Sequence, residues 1–449
     1  MGVRPMYHAA TRDAIVASNL LDAMRAHPGV GAGLNPAAVA SFLAYGANLD
    51  VATTTFAAVA RLAPGTALVA GPGKPPSVWR HWSVPDPAPM HLADGACLER
   101  YRELLGCAVA DRVDADGTAI FLSGGIDSPT IAATARRVAP GARLEALTMR
   151  TTNVESGREM ELAAMVAARL GIPQRRFETP TDARPEALRH TPEPIDEPEF
   201  AAQAAVVTQL AAAVGGVIIE GEDGDALFRP AGLATMLRRE PPLRVMSRII
   251  AYTIRHRHHP YLGFWIARRL GLRPGDTPRP VPHWLRPDVR EVLPADTGVV
   301  RTHPSRPDSV ASLTAAIWQS VHAATDRAYH GAPAEFRWPL LDARLLEFVF
   351  ALPSIPWCQR KYLARRAFAG DLPREVLDRP KTSIPGYHET MVRVWRDRTA
   401  CALPPLDERT LAFVDAEAVR TCLRDGDAED VMEAWRVIEL DAWIRNAGA

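Results

Sequence analysis

The stretch Ala119-Ile120-Phe121-Leu122-Ser123-Gly124-Gly125-Ile126-Asp127-Ser128 constrains this chain more than any other part of it. Residues 119–122 are an apolar run that predicts a buried strand. Ser123, Gly124 and Gly125 then turn the chain, and residues 130–137 continue as helix formers. A strand, a glycine-rich turn and a helix start form a phosphate-binding device, because bare backbone N–H groups and a helix N-terminus face one anion. Glycine serves where the backbone must bend and approach a ligand closely. Asp127 adds a carboxylate suited to holding Mg²⁺ on phosphate oxygens. No Gly-Lys-Ser/Thr follows the glycines, so the loop is not a Walker A motif.

A second acidic turn follows a second apolar run. Gly216-Val217-Ile218-Ile219 predicts a short buried strand, and Glu220-Gly221-Glu222-Asp223-Gly224-Asp225-Ala226-Leu227-Phe228 comes directly after it. Between the two lie a strand over residues 144–149, ending before Thr151-Thr152-Asn153, and a helix over 159–170 stopped by Gly171 and Pro173. A further helix is expected over 200–214, after Asp196-Glu197-Pro198. A helix over 96–112 precedes the first strand. Alternating strands and helices give a parallel sheet covered on both faces. Ligands of such sheets sit at the carboxyl ends of the strands, which gathers the ends of 119–122, 144–149 and 216–219 at one site.

The chain has 449 residues, enough for two or three domains and a sizeable core. Lys plus Arg and Asp plus Glu both number 52, so no bulk field favours nucleic acid. Cys97, Cys107, Cys358, Cys401 and Cys422 form no CxxC and fit small buried residues of a reducing cytoplasm. Signal-peptide and transmembrane patterns are absent, so no membrane partner is expected. Abundant Ala, Arg and Pro fit a GC-rich bacterial genome.

Residues 1–90 read as a small α+β domain, with a strand and short helix in 14–24, a helix over 36–45 and a strand over 66–69. Gly73-Lys74-Pro75-Pro76 reads as a turn, and residues 83–89 as a Pro-rich linker. Residues 229–309 are broken up by prolines; within them Arg255-His256-Arg257-His258-His259 reads as a basic surface or interface segment, because interleaved Arg repels a metal. Val310, Leu313, Ile317 and Val321 recur at helical spacing. An apolar helix over 345–352 follows Arg337-Trp338-Pro339-Leu340-Leu341-Asp342. Lys361 and Arg365 sit four apart, which on a helix puts both cations on one face. The remainder, with Trp395, Trp435 and Trp443, reads as a helical cap.

Ser123-Gly124-Gly125-Ile126-Asp127-Ser128 resembles the pyrophosphate loop of the asparagine synthetase family, which includes asparagine synthetases, β-lactam synthetases and the macrolactam cyclases of lasso peptide biosynthesis. From Gly221 the acidic turn resembles that family's Gly-Glu-Gly-Ala-Asp-Glu-Leu-Phe, with Asp223, Gly224 and Ala226 departing from it. Residues 337–342 resemble its Arg-x-Pro-Phe-Leu-Asp, and Lys361 and Arg365 its Lys-x-x-x-Arg. Leu372-Pro373-Arg374-Glu375-Val376-Leu377-Asp378-Arg379-Pro380-Lys381 places Lys381 on the family's catalytic lysine. His283-Trp284-Leu285-Arg286-Pro287 resembles a segment of the lasso cyclases. Gly2-Val3-Arg4-Pro5-Met6-Tyr7, Phe42-Leu43-Ala44-Tyr45-Gly46, Leu62-Ala63-Pro64-Gly65 and Arg80-His81-Trp82 resemble the closing part of its glutaminase domain.

That resemblance implies an α/β enzyme: a truncated, inactive glutaminase-like domain over 1–90 and an ATP-dependent, parallel-sheet ATP-pyrophosphatase domain over 91–449. It implies ATP and Mg²⁺, an acyl-adenylate, and an amine that displaces AMP. ATP and pyrophosphate contacts fall on Leu122, Ser123, Gly124, Gly125, Asp127, Ser128, Thr148, Met149, Gly221, Lys361 and Arg365. Asp127 and Asp225 would hold the metal, Lys381 and Glu222 would be catalytic, and Arg337 and Asp342 would shape the substrate side. A structural ion pair fits Arg337 and Asp342 equally well, and a solvated basic face fits Lys361 and Arg365. The terminal nucleophilic Cys of glutamine-using members has no counterpart, since residue 2 is Gly, so the amine is expected within the substrate. This favours a lasso peptide cyclase acting on a peptide, alongside a leader-binding protein and a leader protease. A small-molecule amide or β-lactam-type synthetase and a catalytically silent nucleotide-binding partner protein are the alternatives.

Overall fold

The computed structural model describes residues 2–71, 74–151, 157–179, 191–196, 216–263, 280–293, 303–330, 334–380, 393 and 405–447. Two large apolar cores organise them.

In the amino-terminal unit, β1 (Tyr7–Ala10), β2 (Ile15–Ser18) and β3 (Ala60–Arg61) form an antiparallel sheet in the order β2-β1-β3. Helices α1 (Leu21–Arg25) and α2 (Pro36–Tyr45) pack with it. The Asn35 side chain accepts from Ala37 N and Ala38 N, Pro36 takes the first helical position, and Gly46 ends α2 at φ 76. A separate ribbon pairs β4 (Thr66–Gly71) with β5 (Lys74–Arg80). This corrects the expected turn at 73–76: Pro75 and Pro76 lie in a strand, while residue 73 lies outside the described residues. A two-stranded ribbon has only edges, where proline's missing N–H costs no ladder bond.

The core of this unit draws on both sides of residue 90. Tyr7, Val39, Phe42, Leu43 and Phe56 pack with Trp284, Leu285, Val431, Trp435, Ile438 and Trp443. The last four belong to the helix Ala428–Ala447, and the Trp443 ring lies 5.6 Å from that of Phe56. The carboxyl-terminal helix is therefore core to the amino-terminal unit; Trp395 lies outside the described residues. Residues 191–196 also enter here: Glu193, 2% exposed, ion-pairs with Arg61 and accepts from Thr55 N at 2.8 Å.

The other core surrounds a five-stranded sheet of β6 (Thr118–Phe121), β7 (Leu144–Thr151), β8 (Gln174–Thr179), β9 (Gly216–Ile219) and β10 (Ala334–Arg337). Every pairing is parallel and the order is β10-β9-β6-β7-β8. Helix α3 (Asp94–Ala110), helix α4 (Asp127–Val138) and helix α5 (Gly157–Leu170) contribute buried residues to its core. The chain runs outward from β6 through β7 to β8, then returns to β6's other side as β9. That reversal puts a topological switch point between β6 and β9, where such sheets open a crevice.

Several expectations change. The helix expected across 310–321 is two helices, Pro307–Leu313 and Ile317–Ala324. Trp318 Nε1 donates to Ser312 O at 2.9 Å, taking a carbonyl that residue 316 would use in a continuous helix. Within 229–309 prolines begin helices rather than break them: Pro242–His256, Pro287–Glu291 and Pro307–Leu313 each start on one. Cys97, Cys358 and Cys422 are buried, but Cys107 is exposed. The helix expected over 200–214 lies outside the described residues. Among the described residues, no helix is long and apolar enough to cross a membrane.

Candidate active site at the switch point

The loop after β6 is closed on itself by its two serines. Ser128 Oγ accepts from Ser123 N at 2.9 Å and lies 3.0 Å from Ser123 Oγ, which accepts from Gly125 N at 3.2 Å. The N–H groups of Ser123 and Gly125 are thus used inside the loop rather than left bare. Leu122 is buried and its N donates to Leu147 O at 2.8 Å. Thr148, also buried, donates to Leu122 O at 3.0 Å and accepts from Gln174 at 2.8 Å, so it ties β7 and β8 to the base of the loop. Met149 follows it, half-buried. Helix α4 begins at Asp127, three residues earlier than its sequence predicts.

Glycines let three segments converge here. A Cβ on Gly124 would lie 2.8 Å from Glu159 O and 2.7 Å from Arg379 Nη1. One on Gly221 would lie 2.9 Å from Ser128 N, so the turn after β9 rests on the first turn of α4. One on Gly224 would lie 2.3 Å from Asp127 Cγ. Arg379, to which sequence reasoning assigned no role, therefore sits over the loop, with its guanidinium 3.9 Å from Glu159.

The carboxylates meet where the topology opens the crevice. Asp127 stands at the first position of α4, and Asp225 in the short helix Gly224–Leu227 after β9. The Lys361 ammonium contacts both, hydrogen-bonding Asp127 Oδ2 and lying 2.7 Å from Asp225 Oδ1. Arg360 and Lys361 have φ 49 and φ 58, two consecutive left-handed residues that are not glycine. That conformation costs roughly 1–2 kcal/mol for each residue. Lys361 is thus the residue before the helix Tyr362–Ala367 and does not share a helix face with Arg365. The expected i, i+4 cation face is corrected accordingly. Arg365 turns away to Val376 O at 3.3 Å, Leu377 O and Arg379 O at 2.9 Å, anchoring the segment that leads to 381. Lys381 itself lies outside the described residues.

Glu222 and Asp223 form the wall beside this pair. Asp223 has φ 66 and is buried, with neither carboxylate oxygen hydrogen-bonded. Burial first, and the neighbouring Glu222 charge second, push its carboxyl up to about 7. The Glu222 side chain reaches solvent, yet crowding by protein raises its carboxyl as well. Glu220 accepts from Trp338 Nε1 at 3.0 Å, linking this turn to the end of β10.

Arg337 and Asp342 do not pair with each other. Arg337 grips Glu335 at 3.1 and 3.2 Å and donates to Arg112 O at 3.0 Å. Asp342, 7% exposed, caps the helix Ala343–Ala351 and pairs with Arg112 at 2.9 Å and Arg344 at 2.8 Å. Both side chains are engaged in structural contacts, which meet at Arg112. Arg255 and Arg257 are exposed, and among the described residues no three His, Cys, Asp or Glu side chains gather to hold a metal.

The model of the asparagine synthase family matches residues 100–445. No curated protein matches the chain. A family match over most of the length, on a parallel sheet with a phosphate-type loop at its switch point, identifies the protein: it belongs to the asparagine synthase family, whose members form amide bonds at the expense of ATP.

Proposed function

We propose that this ATP-dependent carbon–nitrogen ligase adenylates a carboxylate of a peptide, releases pyrophosphate, and lets the peptide's own N-terminal amine displace AMP. The product is a macrolactam of the lasso peptide type, closed onto an Asp or Glu side chain. The observation that carries the reading is the meeting of Asp127 and Asp225 at the Lys361 ammonium beside the loop. Two carboxylates from two strand ends are hard oxygen donors of the kind Mg²⁺ takes. Bound there with ATP, Mg²⁺ would supply charge neutralisation for the departing pyrophosphate.

The chain's own groups divide the remaining work. The loop at 123–128, with Leu122 and Thr148 beneath it and Gly221 against it, holds the phosphates in line with the attacking carboxylate. Met149 stands on the nucleotide side. Lys381 offsets charge building at the α-phosphate, and Glu222 takes the proton of the incoming amine. Burial raises its pKa, which makes it a stronger acceptor for that proton. Arg365 acts through the segment it anchors, and Arg337 and Asp342 support the substrate side from behind. The substitutions in the acidic turn, Asp223 and Ala226 for Gly and Glu, weigh against aspartate as the substrate, and the 283–287 resemblance supports a peptide. On this reading the enzyme works in the cytoplasm with a leader-binding protein and a leader protease, and touches neither nucleic acid nor membrane.

The test supplies ATP and the leader-free precursor peptide and follows the peptide by mass. Loss of one water, with AMP and pyrophosphate released, is expected. Asp127→Asn and Asp225→Asn should each abolish pyrophosphate release, and full turnover in either would sink the metal pair. Adenylation followed only by transfer to an added amine would refute cyclisation and favour a small-molecule amide synthetase.

A further inference from the structure

Lys361 occupies the position where a cation shared by Asp127 and Asp225 would sit. The backbone is bent to put it there. Arg360 and Lys361 are both left-handed, and Arg365 Nε holds the bend by donating to Arg360 O at 2.8 Å. The Lys361 side chain is 14% exposed, so its charge is largely shielded from water. An observed backbone outlier of this kind, aimed into a crevice, marks a functional constraint.

We infer that Lys361 is a built-in stand-in for the metal: its ammonium holds the two carboxylates together in the metal-free enzyme and moves to the nucleotide's phosphate oxygens when metal arrives with nucleotide. The inference rests on the reading of Asp127 and Asp225 as the metal pair. An ammonium and a divalent ion cannot share the same two oxygens, because their charges repel at contact distance. Metal entry therefore breaks both Lys361 contacts. Without nucleotide, the freed ammonium is left in a largely buried site where, among the described residues, it contacts no other carboxylate, which is costly. A bound triphosphate supplies that anion. The pinned backbone keeps the ammonium within reach, so the exchange needs only side-chain rotation. Metal and nucleotide then assist each other's binding, and the coupling is reciprocal. The carboxylates stay in place while empty, and metal alone does not fill the site.

The experiment adds Mn²⁺, without nucleotide, to the wild-type chain and to Lys361→Met and follows binding by electron paramagnetic resonance. Losing the competing ammonium should tighten Mn²⁺ at least about 10-fold, the scale of one charge-assisted hydrogen bond. Binding of the Mn²⁺ complex of α,β-methylene ATP should weaken in the same variant. Lys361→Gln, which keeps a polar group without charge, should tighten Mn²⁺ in the same direction and serves if Lys361→Met does not fold. Unchanged or weaker Mn²⁺ binding in the charge-free variant would overturn the inference. Asp225→Asn, titrated with the Mn²⁺ complex of α,β-methylene ATP, with which the wild-type site fills, separates the two failures. If it loses Mn²⁺ while the Lys361 variant gains none, the metal pair stands and the stand-in fails. If it binds Mn²⁺ as the wild type does, the metal pair itself is wrong.

Discussion

Gly221→Ala tests whether the turn after β9 sets the geometry of the phosphate loop. The added methyl would sit 2.9 Å from Ser128 N, 3.0 Å from Ser128 Cα and 3.1 Å from Ser128 Cβ. Two of these are backbone atoms, so no rotamer change relieves the overlap. Ordinary carbon contacts lie at about 3.5–4.0 Å, and the two segments must therefore part by roughly half an ångström or more. Overpacking of this kind costs about 1–3 kcal/mol in stability. The effect on chemistry should be larger. Ser128 Oγ holds both Ser123 N and Ser123 Oγ, and Asp127 precedes Ser128 directly, so the shift reaches the loop and the Asp127 carboxylate together. Displacements approaching 1 Å in a reacting geometry cost on the order of 10²-fold in rate. The assay is pyrophosphate release at saturating ATP, with thermal unfolding in parallel. Gly95→Ala, in the first turn of α3 where a Cβ meets nothing within 4 Å, is the control and should leave rate and stability unharmed. If Gly221→Ala turns over within about 3-fold of wild type with an unchanged melt, the contact does not position the loop.

Lys381→Ala should bind ATP within a few-fold of wild type yet form product on the order of 10²-fold more slowly, because a charge-stabilising donor acts in the transition state; isothermal titration and product assays separate the two. Glu222→Gln should keep pyrophosphate exchange into ATP while amide product falls, and loss of both together would remove its role toward the amine. The Asp223 carboxyl is raised in the folded chain from 3.8 to about 7, so the folded state binds the extra proton across that range and stability should rise as pH falls from about 7 toward 4. Asp223→Asn should abolish that rise, and parallel pH series of urea unfolding for the two proteins would detect it.

The elements that frame the candidate site were readable in the chain because their signals are local. An apolar run, two glycines and an aspartate announce β6, the loop and α4, and the same logic finds β9 and its acidic turn. Strand β8 escapes, since Gln174, Arg175, Arg176 and Glu178 are polar; at the sheet edge they can face water. The left-handed bend at Arg360 and Lys361 has no local signal either, because neither residue favours it; the bend places Lys361 against carboxylates distant in sequence. Arg337 and Asp342 matched a motif, but their true partners, Glu335, Arg112 and Arg344, are set by tertiary packing. Trp435 and Trp443 carry a helical pattern that says nothing of which unit they complete.

The interleaving of the two ends has a consequence for how the chain is made. The apolar face of α2, with Val39, Phe42 and Leu43, is finished by residues such as Val419, Val431 and Trp443. More than three hundred residues separate Val59 from Phe413, with Trp284, Leu285 and Val289 the buried members of this core between them among the described residues. A ribosome adding about 5–20 residues per second needs on the order of tens of seconds to bridge that gap. Throughout it the first-made unit lacks its carboxyl-terminal cover, while the parallel sheet receives its last strand, β10, well before Phe413 is added. Vectorial folding from the amino terminus is therefore inverted here: the nucleotide-binding half closes first, and the oldest residues wait for the youngest. Such a nascent chain should be a client for trigger-type holdases, and a stop codon removing the last helix should release the amino-terminal unit as an aggregating, protease-sensitive segment while sparing the sheet.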